Sequence, residues 1–199
     1  MSESDSISLE ATRRRLTDKQ ADTVDRLTKA ALRVLARDGF SGMTIRLVAA
    51  EAGVGTATAY TYFSSKEHLV AEIFWRRLLA SRSPASEDPD STVRVVAELR
   101  NIALLVADEQ ELSGAVTSAL LGGDPDVEHL RTRIGIEIRG RIARALGPDA
   151  DEEVIEWLEM IYAGALVRAG MGYESYSKIA DRIERAALRI LQSPAAAAD

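Results

Sequence analysis

The chain has no cysteine and only two histidines among its 199 residues, and aromatic residues make up 5% of it. Because the chain has no cysteine, it cannot contain disulfides, thiolate nucleophiles or cysteine-bound zinc or iron–sulfur sites. A chain without disulfides is typical of a cytoplasmic protein. His68 and His129 each lack a second histidine three or four residues away, so both are interpreted as surface residues. Neither a metal nor any other cofactor is expected.

Long apolar runs are also missing. The longest unbroken one, residues 102–107, is far shorter than the roughly 20 residues that a membrane-spanning helix requires. The first residues are polar and acidic, whereas a signal peptide is basic and then apolar. The sequence therefore predicts a cytoplasmic protein with no membrane partner.

Common catalytic motifs are absent as well. The sequence contains no HExxH, no GxSxG and no P-loop. The segment GVGTAT at residues 53–58 begins like a dinucleotide-binding fingerprint, but it lacks the third glycine and no strand pattern precedes it. An enzyme is therefore not expected.

The net charge of −6 is unevenly distributed along the chain. Residues 1–80 hold 12 Lys and Arg against 10 Asp and Glu, whereas residues 81–199 hold 13 against 21. An asymmetry of this kind is a hint of a polyanion-binding head on an acidic body.

Apolar residues recur at spacings of three and four along nearly the whole chain, and no run alternates with period two. This pattern predicts an all-α fold of about nine helices. Thr44, Ser64 (with Glu67 as a capping box) and Asp124 (before Pro125) are expected helix N-caps, and Gly39 and Gly53 are expected stops. The predicted helices cover residues 18–37, 44–53, 55–62, 64–82, 92–107, 109–121, 125–146, 149–171 and 175–191.

The segment at residues 81–91 is rich in Pro, Ser and Asp and interrupts the helical pattern, so it marks the boundary between head and body. The expected organisation is a flexible arm at 1–16, a three-helix DNA-binding head at 17–64, a connecting helix at 65–82, a ligand-binding and dimerisation body at 83–192, and a disordered tail at 193–199.

Helices two and three are short and separated only by Gly53 and Val54, which is the spacing of a helix-turn-helix. The other interpretation is an ordinary helical hairpin inside a bundle. The third helix favours DNA, because its Thr, Ala and Tyr residues suit phosphates and thymine methyls better than packing.

Gly39-Phe40 and the segment MTIRLVAAEAGVGTATAYTYFSSKEHLVAEIF at residues 43–74 resemble the DNA-binding region of TetR-family transcriptional regulators. The matching features are the Gly-aromatic pair, the Ala-x-x-Ala-Gly-Val turn, the Tyr-x-Tyr-Phe end of helix three and the Ser-Lys-Glu-x-Leu start of helix four. The resemblance implies a homodimer that reads a palindromic operator, with a body that binds an effector and thereby changes the separation of the heads.

The resemblance places Thr44 and Lys66 on phosphates and Tyr60 and Tyr62 on the DNA backbone and base methyls. Core packing of either tyrosine, and a solvated Lys66, stay open, whereas Phe63 is assigned to the core. Arg46 is the only long donor near the groove, so it is the expected guanine reader. The remaining expected contacts come from short side chains of helix three, namely Thr56, Ala57, Thr58 and Thr61. A basic arm at Arg13, Arg14 and Arg15 is a further candidate for contact with DNA.

Helices eight and nine carry more apolar residues than one buried face needs, which suggests an isologous dimer interface. Its candidate residues are Leu158, Ile161, Ala165, Ala169, Ile179, Ile183, Ala187 and Ile190, and a central position in a monomer is the alternative. The candidates for an effector pocket are Ile102, Leu120, Ile134, Ile138, Trp157, Tyr162 and Arg168, although each apolar one is also readable as core. Their composition favours a largely hydrophobic ligand.

The sequence therefore predicts a ligand-responsive transcriptional regulator, most simply a repressor, whose partners are operator DNA, a second copy of itself and a small effector. Activation stays open. A helical interaction or scaffold protein that does not bind specific DNA is the alternative.

Overall fold

A computed structural model of the chain describes residues 18–192, so the arm at Arg13 to Arg15 and the tail at 193–199 lie outside the described residues. Within the described range the chain forms nine helices and no strand, which confirms the all-α prediction. The helices are α1 Asp18–Gly42, α2 Ile45–Ala52, α3 Thr56–Tyr62, α4 Lys66–Ala80, α5 Ser91–Leu104, α6 Gln110–Leu121, α7 Pro125–Leu146, α8 Glu152–Gly170 and α9 Tyr176–Leu191.

Most of the predicted helix boundaries follow from local capping. Thr44 accepts a hydrogen bond of 3.2 Å from the backbone N–H of Leu47 and so caps α2. Gly53 ends α2 in the left-handed region at φ 63°. Gly39 also leaves the helical region, at φ 65° and ψ 172°, so the regular helix breaks there as predicted, and a short helical turn to Gly42 follows the kink.

The prediction that Ser64 caps α4 is wrong. Ser65 is the cap, because it has extended backbone angles and its hydroxyl accepts a hydrogen bond of 2.9 Å from the N–H of His68. The hydroxyl of Ser64 lies instead 3.2 Å from Nδ1 of His68. His68 is also not a surface residue: its side chain is only 20% exposed and packs edge-on against the Phe63 ring.

Helices α4 and α7 lie side by side and are joined at several points along their length. Asp124, the N-cap of α7, accepts a hydrogen bond from Ser65, and the Arg133 guanidinium lies 4.7 Å from the centre of the Trp75 ring. Near the other end, Arg141 donates to the carbonyl oxygen of Leu78 at 2.6 Å. The helix that leaves the head is therefore attached to the body at both ends.

Several residues predicted for a dimer interface are covered by their own chain. Helices α5, α8 and α9 pack together, and five of the candidates lie in that packing, each at most 6% exposed. A second copy cannot reach these side chains, which is a correction for Leu158, Ala169, Ile179, Ile183 and Ala187. The other three candidates, Ile161, Ala165 and Ile190, are half-buried.

Apart from Trp157, the apolar candidates for an effector pocket belong to the body's core or pack against it. Ile102, Ile134, Ile138 and Tyr162 are buried, and Leu120 and Trp157 are half-buried. Arg168 is exposed and its guanidinium lies 5.3 Å from the centre of the Tyr173 ring, so it does not line the interior as predicted.

Candidate DNA-binding interface

One face of α3 is anchored and the other is open to solvent. Ala59 and Phe63, four residues apart, are 0% and 3% exposed and hold the helix against the core. The opposite face carries five of the predicted contact residues, all exposed: Thr56, Ala57, Thr58, Tyr60 and Thr61. A helix of seven residues is too short to be stable alone, so this anchor is what presents the open face.

The turn between α2 and α3 is fixed from outside the motif. Arg26, on α1, donates hydrogen bonds of 2.8 and 2.9 Å to the carbonyl oxygens of Ala52 and Gly53. A Cβ atom at Gly53 would make only an ordinary contact with Nη2 of Arg26, at 3.5 Å, so the positive φ is what favours glycine at this position. Sequence reasoning missed Arg26, because its partners lie 26 and 27 residues away.

Thr44 and Arg46 lie on either side of Ile45, the first residue of α2, and both are exposed. The Thr44 oxygen caps the helix, and its hydroxyl hydrogen remains free to donate to a phosphate. Arg46 is exposed and, within residues 18–192, forms no hydrogen bond or ion pair. Its guanidinium is therefore available to an external acceptor such as a guanine edge or a phosphate.

Tyr62 and Lys66 are less open than the other candidates. Tyr62 is half-buried and packs against the core, in line with the alternative left open for it. Nζ of Lys66 donates to the carbonyl oxygen of Phe40 at 2.8 Å and lies 4.5 Å from the centre of the Phe40 ring. An ammonium has three donors, so Lys66 still has two for a phosphate while it holds this position.

An ionic brace fixes the scaffold helix α2 on α1. Arg33 and Arg37 donate to the two carboxylate oxygens of Glu51 at 2.8 and 3.2 Å. These hydrogen bonds, the one from Arg33 first, lower the pKa of Glu51. These ion pairs position α2. They also leave Arg33 and Arg37 less available for a phosphate, because both already pair with Glu51.

The N-terminal half of the chain contacts the body at two places, one at Gly39 near the end of α1 and one at His68 near the start of α4. Oε2 of Glu111 on α6 lies 3.6 Å from the position that a Cβ of Gly39 would take. Below α3, Nδ1 of His68 lies 4.0 Å from a carboxylate oxygen of Asp126. Burial acts to raise the pKa of the neighbouring Asp124, but the hydrogen bonds from Ser65 and from two backbone N–H groups outweigh it and lower that pKa.

A capped scaffold helix, a glycine turn, an anchored third helix with an open polar face and an all-helical body define a helix-turn-helix transcriptional regulator. No helix among residues 18–192 has the length and apolarity that a bilayer span requires.

The chain belongs to the tetR family of bacterial regulatory proteins, whose family model matches residues 27–73. An HTH-type transcriptional regulator of Mycobacterium tuberculosis (strain H37Rv) is 46% identical over 169 residues, which cover 83% of this chain and 78% of that protein. The HTH-type transcriptional repressor DrrR1 of Streptomyces coeruleorubidus is 36% identical over 63 residues, 32% of this chain and 23% of that protein.

Solved structures support the same fold. A TetR transcriptional regulator from Rhodococcus sp. RHA1 superposes with a TM-score of 0.71 at 19% identity, and the match covers 88% of this chain and 99% of that one. The family and these relatives are transcriptional regulators and not enzymes, which confirms the prediction from the missing catalytic motifs.

Proposed function

We propose that the protein is a repressor that binds a palindromic operator as a homodimer and leaves it when a small, largely apolar effector enters the body. The observation that carries the DNA-binding part is the open face of α3 beside the unpaired Arg46. Repression is the simplest mode, since a bound dimer blocks a promoter without further contacts, and the similar protein from S. coeruleorubidus carries the name of a repressor.

Homodimerisation is supported by an apolar stripe on the outside of α8. Its members recur at spacings of three and four residues and are half-buried or exposed, with Met160 at 58% and Met171 at 64% exposure. A stripe of this kind fits the same stripe of a second copy related by a two-fold axis. It consists of Trp157, Met160, Ile161, Gly164, Val167 and Met171.

The effector is supported by two buried polar groups in the apolar body. The hydroxyl of Tyr162 and Nδ2 of Asn101 are buried and find no hydrogen-bond partner among residues 18–192. Burial, and secondarily the nearby Tyr176, raise the pKa of Tyr162, so this hydroxyl stays neutral and can donate. An effector that is mostly apolar and carries one or two acceptors would satisfy these groups.

In-vitro selection of bound duplexes from a random pool tests the proposal. We expect enrichment of an inverted repeat whose half-sites lie about one helical turn apart, bound by two copies of the chain as measured by light scattering. The helical scaffold alternative predicts no enrichment and no salt-dependent duplex binding. Enrichment of a single half-site bound by one copy would contradict the homodimer.

A further inference from the structure

We propose that a cationic pocket at the end of α4 binds a small anion through a carboxylate or phosphate group. The pocket lies between the end of α4, the segment at residues 81–90, the first turns of α5 and the last turns of α7. Its volume is about 330 Å³, which is at the lower end of the range for small-molecule sites. None of the residues predicted for the effector pocket lines it.

The charge of the pocket is positive. Four arginines line it, Arg82, Arg94, Arg141 and Arg144, against Glu98 in the lining and Glu137, which is outside the lining but pairs with Arg141 at 2.7 Å and with Arg144 at 3.5 Å. Clustered charges of one sign in a concave site concentrate the field and favour a ligand of the opposite sign.

The hydrogen-bond partners of Arg94 are carbonyl oxygens, so no carboxylate among residues 18–192 offsets its positive charge. It donates to the carbonyl oxygens of Asp88 at 2.7 Å, Ala145 at 2.8 Å and Pro89 at 3.0 Å. Within the described range it forms no ion pair with a carboxylate. Carbonyl dipoles orient the guanidinium but do not neutralise it, so a net positive charge is fixed in the wall of the pocket.

Arg141 is the most buried of the four arginines and forms the bottom of the pocket. Its side chain is 10% exposed, and it donates to Ser81 Oγ at 3.0 Å and to Glu98 Oε1 at 3.3 Å. Arg82 and Arg144 are exposed at the rim. Arg82 has no partner in residues 18–192, and Arg144 forms one ion pair, in which its Nη2 lies 3.5 Å from a Glu137 oxygen and its other nitrogens stay open. Two guanidinium forks with open donors are therefore available for bidentate binding of a carboxylate or phosphate.

Ser83 supplies an independent observation. It is 7% exposed and lines the pocket, and its hydroxyl is buried without a hydrogen-bond partner among residues 18–192. A buried hydroxyl without a partner is unfavourable and is rare in folded proteins. Because the oxygen itself is covered, the Ser83 side chain has to rotate toward the pocket before its hydroxyl can donate to an anionic oxygen there.

Calorimetric titration of the full chain tests the pocket, with citrate and inorganic phosphate as probes and chloride held at matched ionic strength. We expect saturable binding of at least one probe at one site per chain. Binding of citrate alone assigns a carboxylate ligand, and binding of phosphate alone assigns a phosphate ligand. Binding of neither overturns the proposal.

Variants locate the anion. Arg82→Gln and Arg144→Gln should each weaken binding about ten-fold, as expected for loss of a charge-assisted hydrogen bond. Ser83→Ala should weaken it several-fold while the thermal midpoint without anion stays the same or rises, because the variant removes only a hydroxyl without a partner.

The DNA-facing surface also attracts anions, so Arg46→Gln is the matched control and should bind the probe like the wild type. Binding that is lost in Arg46→Gln and kept in Arg82→Gln and Arg144→Gln would place the anion on the head and overturn the proposal. Loss of folded stability in Ser83→Ala without anion would likewise contradict the role assigned to its hydroxyl.

Discussion

Arg141 on α7 donates a hydrogen bond of 2.6 Å to the carbonyl oxygen of Leu78, in the last turn of α4. The same oxygen also accepts hydrogen bonds from the hydroxyl of Ser81 at 2.8 Å and from its N–H at 3.2 Å, so the guanidinium adds a contact from α7 to the local cap of α4. Since α4 begins directly below α3, the contact ties the far end of the helix that leaves the head to the centre of the body.

Arg141→Met should lower the free energy of unfolding by about 3 kcal/mol or more, because it leaves the buried carboxylate of Glu98 without its cation. Urea unfolding followed by circular dichroism measures the change. Arg185→Gln, on the exposed side of α9, removes the same charge as a control and should change stability by less than about 0.5 kcal/mol. Equal stability of the two variants would show that Arg141 does not hold α4.

Arg26→Gln should weaken DNA binding without any loss of a DNA contact. The variant releases the carbonyl oxygens of Ala52 and Gly53, and we expect about 1–2 kcal/mol lower stability of the folded chain. Fluorescence anisotropy with the selected operator, beside urea unfolding, measures both effects. Lys29→Gln removes one charge from the same helix, where it pairs only with Asp25 at the surface, and should leave both measurements nearly unchanged.

Arg46→Ala should reduce affinity for the selected operator about ten-fold more than affinity for a scrambled duplex of the same length, since loss of a bidentate guanine contact costs about 1–3 kcal/mol of discrimination. Binding isotherms at several salt concentrations check this. An equal loss on both duplexes, with a salt slope reduced by about one, would assign Arg46 to a phosphate instead.

Gly170→Ala should destabilise the protein by about 1–3 kcal/mol, because a Cβ there would overlap with the side chain of Thr117 on the facing helix α6. Gly135→Ala, in the interior of α7, meets nothing within 4 Å and should stabilise by about 0.5–1 kcal/mol through helix propensity. Thermal and urea unfolding of the two variants compare them. A stabilising Gly170→Ala would contradict the close approach of α6 and α8.

Asp124 should make the protein sensitive to acid. Its pKa is lower in the folded chain than in the unfolded one, so its contribution to stability is present above the ordinary aspartate pKa and is lost as the pH falls through the folded value. Asp124→Asn keeps a good N-cap but does not titrate. The difference in unfolding free energy between wild type and Asp124→Asn should therefore change between about pH 5 and pH 3. A difference that is constant over this range would contradict the lowered pKa.

The parts of the fold that depend on local chemistry could be predicted from the sequence. Thr44, Gly53 and Asp124 act through groups within four residues, so the start and end of α2 and the start of α7 follow from composition. The choice between Ser64 and Ser65 failed because two adjacent serines satisfy the same rule, and only the backbone angles at residue 65 decide between them.

The parts that depend on distant contacts could not be predicted. Apolar periodicity shows that Leu158, Ile179 and Ile183 are buried, but it does not show whether their own chain or a second copy covers them. Arg26 and Arg141 bind carbonyl oxygens that carry no signal in the sequence. The cationic pocket likewise gathers residues from the end of α4, the segment after it, α5 and α7, which are separate in the chain.

The two attachments of α7 to α4 restrict how the body can move the head. Asp124 and Ser65 join the starts of these helices. Arg141 and Leu78 join them again 17 residues further along α7 and 13 residues further along α4, so we expect the two helices to move together. Sliding α4 along its own axis would break both attachments, whereas tilting the two helices together breaks neither. Because α4 has 15 residues and is about 22 Å long, a tilt of about 6° at its far end displaces Lys66 by about 2 Å. In the proposed homodimer, opposite tilts of the two copies would change the separation of their heads by about twice that displacement.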